Sequence, residues 1–209
     1  MTTIYIITNN AVLKNKIIYK KEMSEEQQRE LQPLNLKGEK NSSALSKIEE
    51  LKETKTIYTS NYISAISTAK YLSEELDLKI NVDDRLNERK VGIVKENNEK
   101  FLKEMQEHDF DYKLHNGESL NQVADRMKQV IKEILREHQE ETITIFTHDI
   151  ALEALFSIWC EKGFNLENQL ILNFKDDVIM DGAFHPIRIF VLEFDEMKLK
   201  NILWINKND

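Results

Sequence analysis

Short β-branched runs alternate along this chain with stretches whose apolar residues recur at helical spacing. That alternation restricts the fold more than any other feature. Thr3–Thr8, Lys55–Thr59 and Glu141–Thr147 read as buried parallel strands, and Leu78–Val82 as an edge strand. Between them lie helical stripes. One carries Ala44, Leu45, Ile48 and Leu51 after an opening at Leu36–Glu39. A second carries Ile63, Ile66, Ala69, Tyr71 and Leu72, with Ser60 or Asn61 as its cap. Residues 97–107 form a third helix. A long fourth helix is capped within Asn116–Ser119 and runs to about His138, with Leu120, Val123, Met127, Val130, Ile131 and Ile134 inside. Ile150–Glu161 is a fifth. Ile187–Phe194 and Lys200–Ile205 read as a closing strand pair joined at Asp195-Glu196. The pattern predicts a three-layer α/β fold: a mainly parallel central sheet, helices on both faces and an antiparallel edge. Residues 1–209 are expected to form a single domain, since no repeat or low-complexity linker divides them.

Composition narrows the function classes. The net charge of −8 argues against a nucleic-acid or anionic-membrane surface, which needs clustered Lys and Arg. No apolar run approaches the ~20 residues of a membrane span. Met1-Thr2-Thr3 leads straight into a strand without the pattern of a signal peptide. Cys160 is the only cysteine, so a disulfide framework is excluded and a cytoplasmic location is expected. Cys160 itself lies in an apolar helix pattern and reads as a small core residue. There is no Gly-rich phosphate loop, no Cys-x-x-Cys and no His-Glu-x-x-His, so no metal and no cofactor is expected.

The first strand ends in the polar turn Thr8-Asn9-Asn10. Several later fragments follow in a fixed order: Pro33-Leu34-Asn35-Leu36-Lys37-Gly38-Glu39, Ile57-Tyr58-Thr59-Ser60 with Ala65–Ala69, Leu86-Asn87-Glu88 with Gly92, Asn116-Gly117-Glu118-Ser119-Leu120, and Thr147-His148-Asp149. Together with Ile4–Ile7 they resemble the landmarks of the histidine phosphatase, or phosphoglycerate-mutase-like, superfamily from about residue 3 to about 205. Each fragment is weak alone; six in order and at compatible spacing point to that fold.

The resemblance implies a degenerate site. The family's Arg-His-Gly turn falls on Thr8, Asn9 and Asn10, with the nucleophilic His at Asn9. A second family Arg falls on Ser64. Two family members keep their type: Glu88, at the general-acid position, and His148, the second His of the phosphate pocket. Asp149 stands where the family has Gly. An Asn amide nitrogen, its lone pair delocalised, is not a nucleophile at neutral pH. Thr8 and Ser64 supply hydroxyls where guanidinium forks would clamp the phosphoryl oxygens. Among the aligned positions His148 is the only possible cation, so poor phosphate binding is expected.

Each candidate has a plainer reading. Glu88 sits in a charged stretch, where a surface carboxylate is the lesser reading, and His148 reads equally as a structural imidazole. His185 reads as a loop residue; His108, His115 and His138 read as surface residues. The leading expectation is a non-catalytic member that binds an unknown protein or small-molecule partner, with residues 9–36 and 89–116 as lids. The alternatives are an enzyme with rebuilt acid/base chemistry on Glu88 and His148, or a residual phosphomonoesterase in a different register. The last needs another His at the site, and no Arg-His pair occurs in the chain.

Overall fold

The computed structural model describes residues 1–205 apart from 15, 94–98, 184 and 186. Four strands form the parallel heart of a six-stranded sheet: β1 (Thr2–Thr8), β2 (Thr56–Thr59), β3 (Ile80–Val82) and β4 (Thr142–Thr147). Their order is β3-β2-β4-β1, and β8 (Ile189–Asp195) and β9 (Lys198–Trp204) continue it antiparallel beyond β1. The predicted mixed, mainly parallel sheet is therefore present, and the three expected core strands are neighbours.

β1 shows why helices must cover both faces. Successive side chains on a strand point to opposite sides. Ile4 and Ile6 enter one core with α5 (Leu120–Glu137) and α6 (Asp149–Phe156), while Tyr5 and Ile7 enter the other with Leu45, Ala69 and Leu72. Leu45 closes α2 (Leu36–Leu45), whereas Ala69 and Leu72 belong to α3 (Ile63–Leu76). α5 is the most amphipathic of these helices. Ser119 caps it and exchanges bonds with Gln122 in a capping box.

Several sequence expectations need correction. The connection 9–36 contains a short helix, α1 (Glu25–Glu30), capped by a Ser24–Gln27 box, and an isolated bridge between Val12 and Leu34. The stripe expected to run to Leu51 breaks after Leu45, and Leu51 is buried from a 3₁₀ turn over Glu49–Glu53. The third expected helix is α4 (Glu99–His108); residues 97 and 98 lie outside the described residues. α6 stops at Phe156, five residues earlier than expected. Glu161 instead opens a separate three-stranded antiparallel sheet of β5 (Glu161–Phe164), β6 (Leu170–Phe174) and β7 (Asp177–Met180). Gly163 and the polar flanks hide β5 from a periodicity argument.

Two glycines fix the loop that follows the Glu88 segment. Gly92 has φ +83°, and a Cβ there would lie 2.7 Å from the Gly117 nitrogen. The two segments are stitched by Ile93 N–H to His115 O and Glu118 N–H to Lys90 O. Gly92→Ala meets both positive-φ strain and a backbone clash. It should lower stability by on the order of 1–3 kcal/mol. At Gly163 a Cβ meets only the Ile171 side chain, Cγ1 at 3.2 Å and Cδ1 at 3.4 Å, so Gly163→Ala should cost clearly less. Chemical denaturation midpoints of the two variants check this ordering.

Candidate functional site

The C-terminal ends of β1, β4 and β2 lie side by side, the edge at which open α/β sheets bind ligands. Thr8 pairs with Thr147 in register, so Asn9 and His148 leave the sheet at the same edge. Asn9 N–H donates to Thr147 O at 2.8 Å. Ser64, near the start of α3, joins the group indirectly: its carbonyl accepts from Thr68 Oγ1, which itself accepts from Asn10 N–H at 3.2 Å. Thr147 Oγ1 donates to Leu86 O, and Glu88 follows two residues later. Thr8, Asn9, Asn10, Glu88, His148 and Asp149 therefore lie at one edge, with Ser64 linked to them through Thr68.

Most of them are fully engaged. Thr8 is buried, and its hydroxyl accepts from Arg188 N–H at 2.9 Å while its own N–H donates to Arg188 O. Asn10 is buried too, donating through Nδ2 to Ser42 and accepting at Oδ1 from Ala11 N–H and Asn41 Nδ2. Asn9 is half-buried, and its Nδ2 donates to Asn10 O at 3.2 Å.

His148 is 4% exposed. Its Nε2 lies 2.8 Å from Ser60 Oγ, and its ring sits 4.5 Å from that of Tyr62. Ser60 accepts from Tyr62 N–H as well, which explains why the hydroxyl expected to cap α3 does not; Tyr62 holds the N-cap position without a side-chain bond. Burial, helped by the Arg126 charge, pushes His148 down to about 3. His148 is thus a neutral imidazole at physiological pH, and the one possible cation among the aligned positions carries no charge there.

Glu88 is not a surface carboxylate. Its oxygens accept from Arg89 N–H (2.8 Å), Ala151 N–H (2.9 Å) and Ile150 N–H (3.2 Å), the last two at the start of α6. Burial raises its pKa against the pull of those donors, and the Asp149 charge raises it further. The backbone behind it is clamped. Arg126 on α5 donates to the carbonyls of Arg85, Asn87 and Glu88 and, at 2.8 and 2.9 Å, to both oxygens of Glu118.

Two arginines that the sequence argument passed over bring positive charge to this edge. Arg188 is 5% exposed and precedes β8. Its Nη1 donates to Asp149 Oδ1 at 3.0 Å, its Nη2 to Ala183 O, and its guanidinium lies 5.8 Å from the Trp204 ring centroid. Arg89, beside Glu88, is 6% exposed. No alignment to a family motif marks either position. The only available hints were the adjacency of Arg89 to Glu88 and the Arg in Pro186-Ile187-Arg188. Asp149, which stands where the resemblance implies a Gly, has its charge paired with Arg188.

Two hollows flank Glu88. One, of about 40 Å³, is lined by Glu25, Glu26, Arg29, Tyr62, Arg89 and the 91–92 backbone region. The other, of about 390 Å³, is lined by Asp149, Glu153, Gln169 and Arg188 among others. Among the described residues no cluster of His, Cys, Asp and Glu is arranged to hold a metal ion, and no helix is long and apolar enough to cross a membrane. His185 pairs with Asp181 at 3.1 Å and contacts Trp204 edge-on. His138 is no simple surface residue: it bridges Tyr58 and Glu141, far from this edge.

The model of the histidine phosphatase superfamily, branch 1, matches residues 20–174. The chain belongs to this superfamily. The matched segment contains Ser64, Glu88, His148 and Asp149 and begins after the Thr8-Asn9-Asn10 turn. No curated protein sequence shows a significant match. Among solved structures, Bacillus stearothermophilus YhfR is 23% identical, with TM-score 0.69 over 96% of this chain and 95% of its own. A mycobacterial glucosyl-3-phosphoglycerate phosphatase bound to VO3 is 16% identical, with TM-score 0.69 over 97% and 96%. A phosphoserine phosphatase mutant from Entamoeba histolytica, in complex with phosphoserine, is 13% identical, with TM-score 0.65 over 97% and 96%. At these identities the likeness establishes the fold.

Two predictions follow from the buried groups. Unfolded, His148 titrates near its ordinary 6.5; folded, near 3. Between those values the unfolded chain binds the extra proton, so stability falls as pH drops through that window, by up to ~1.4 kcal/mol per pH unit. His148→Asn should flatten the acid limb of a stability–pH curve between pH 6.5 and 3 relative to wild type. Separately, Asp149→Ala leaves the buried Arg188 without its carboxylate and should cost on the order of 1–3 kcal/mol. Adding Arg188→Met should recover part of that loss, as read by thermal denaturation of the single and double variants.

Proposed function

We propose that this histidine-phosphatase-fold chain binds a ligand or partner at the sheet edge without forming a phospho-histidine, and so serves a binding or regulatory role. The observation that carries this reading is Asn9. It occupies the turn after β1, immediately beside His148, where the sequence resemblance puts the family nucleophile. A carboxamide cannot take that role. Its neighbours do not replace it. His148 is neutral and hydrogen-bonded to the fully buried Ser60, and Thr8 is held by the Arg188 backbone. Arg188 is spoken for by Asp149, so the strongest fixed cation near the turn is neutralised from within.

The fold shared with a mycobacterial glucosyl-3-phosphoglycerate phosphatase and a phosphoserine phosphatase supports a residual phosphomonoesterase as the alternative. A second alternative rests on Glu88, whose raised pKa suits a general acid. It has no hydrogen-bonded nucleophile to serve among the described residues.

Hydrolysis of an activated aryl phosphate separates these readings. Wild type and Asn9→Ala should both give no turnover above background. Turnover at ordinary enzyme rates, ~1–10³ per second, lost on Asn9→Ala, would overturn the proposal. Turnover lost on Glu88→Gln and retained in Asn9→Ala would favour the acid/base alternative.

A further inference from the structure

In a chain of net charge −8, residues 1–21 contain no Asp or Glu and four lysines, Lys14, Lys16, Lys20 and Lys21. Residues 22–30 reverse the sign, with Glu22, Glu25, Glu26 and Glu30 against the single Arg29. Both halves belong to one surface excursion. Its base is stapled where Val12 bridges Leu34, with Leu13 N–H donating to Pro33 O at 2.8 Å and Asn35 N–H to Ala11 O at 3.0 Å. Between the staples the chain runs out as a lysine strap, turns where Met23 N–H donates to Lys20 O at 3.1 Å, and returns through α1. Tyr19 buries its hydroxyl, whereas Ile18 is 100% and Ile17 39% exposed. The four lysines are exposed, and none makes a side-chain hydrogen bond or ion pair with a described residue, although the glutamates stand only a few positions away.

A basic strap followed by an acidic helix is complementary to itself once turned through a half-rotation. In a two-fold interface residue i of one copy meets residue j of the other, and j meets i. A single operator then lays lysine on glutamate at both ends and covers the isoleucines between them. Scattered exposed apolar residues need no explanation, but two adjacent isoleucines framed by like charge mark a contact surface. The acidic element that the strap calls for is present on the same chain, so no second kind of protein has to be invoked. We propose that the excursion 14–30 is a self-complementary docking surface whose partner is a second copy of this chain: the strap of each copy lies on α1 of the other, with Ile17 and Ile18 packed between. Opposite charges set the register and speed encounter, while the small apolar area keeps the association weak. Because Glu25, Glu26 and Arg29 of α1 also line the hollow beside Glu88, pairing of two copies covers that entrance. The inference goes beyond the reading above and stands whether or not the cleft hydrolyses phosphate.

Sedimentation velocity of the full chain, from about 10 µM to about 1 mM, tests this. In low salt the average mass should rise toward that of a dimer across the range, and added salt should weaken the association several-fold, because exposed charge pairs are screened. Lys20→Glu with Lys21→Glu turns the end of the strap acidic; Glu22→Lys with Glu25→Lys turns the start of α1 basic. Each double variant alone places like charges in contact and should dimerise about tenfold or more weakly. An equimolar mixture of the two should recover the dimer, since each strap then faces opposite charge on the other copy's α1. Ile18→Ser should weaken the wild-type dimer with its charges intact. All five positions are exposed, so melting temperatures should stay close to wild type, which keeps misfolding from mimicking lost pairing. A wild type that remains monomeric at the highest concentration in low salt overturns the proposal, whatever else the lysines bind. Self-association that both double variants leave unchanged overturns it too, as does a mixture no more dimeric than its folded components. Aryl-phosphate turnover bears on the preceding reading alone.

Discussion

The Arg126 guanidinium, fixed on α5 and closed by Glu118, is the interaction on which the arrangement of the cleft depends. The loop carrying Glu88 and Arg89 has no strand or helix of its own to hold it. Three charge-assisted bonds tie its carbonyls to Arg126 on α5, and two more join Arg126 to the Glu118 carboxylate. From that anchor Glu88 reaches the first N–H groups of α6, and α6 begins directly after His148. One side chain thus ties the α5 face of the sheet to the end of β4. The glycine contact between residues 92 and 117 completes the tie on the other side of Arg89.

Charge in this cleft is arranged by pairing rather than by excess. Arg188 and Asp149 neutralise each other beside β1, Glu88 rests on backbone donors, and His148 stays neutral because it is buried. A phosphoryl-transfer site concentrates uncompensated positive charge where the transferring oxygens lie. Here the positive groups nearest the turn already have acceptors, and the unpaired one, Arg89, sits across Glu88 in a hollow of a different shape. The overall charge of −8 therefore conceals a local balance that no composition argument resolves.

The sheet was legible because β1 and β4 are buried on both sides and so carry β-branched runs such as Thr-Ile-Thr-Ile-Phe-Thr, while the shorter β2 alternates between buried and half-buried residues. The closing pair was legible through the turn at Asp195-Glu196, where Glu196 takes a positive φ. The small sheet of β5–β7 was not, since Glu161-Lys162-Gly163-Phe164 is mostly exposed and its pairing depends on partners that periodicity does not report. In the cleft, the motif positions lie at one edge of the sheet. What the sequence withheld were the partners: that Asp149 would find Arg188 thirty-nine residues away, that Ser60 would turn to His148 instead of α3, and that Arg89 would be buried with nothing to hold. Such pairings arise from the fold and leave no local pattern.

α1 contributes no buried residue, and its ends are satisfied within Ser24–Gln27 and by its own carbonyls. No buried side chain of α1 therefore fixes its registry over the cleft. Entry to the hollow beneath it is then a matter of displacing one short helix, with the two hydrophobic cores left as they are. Access and global folding become separate quantities in this molecule: substitutions along α1 are free to retune how fast and how selectively the cleft fills, while the sheet that supports it goes unaltered.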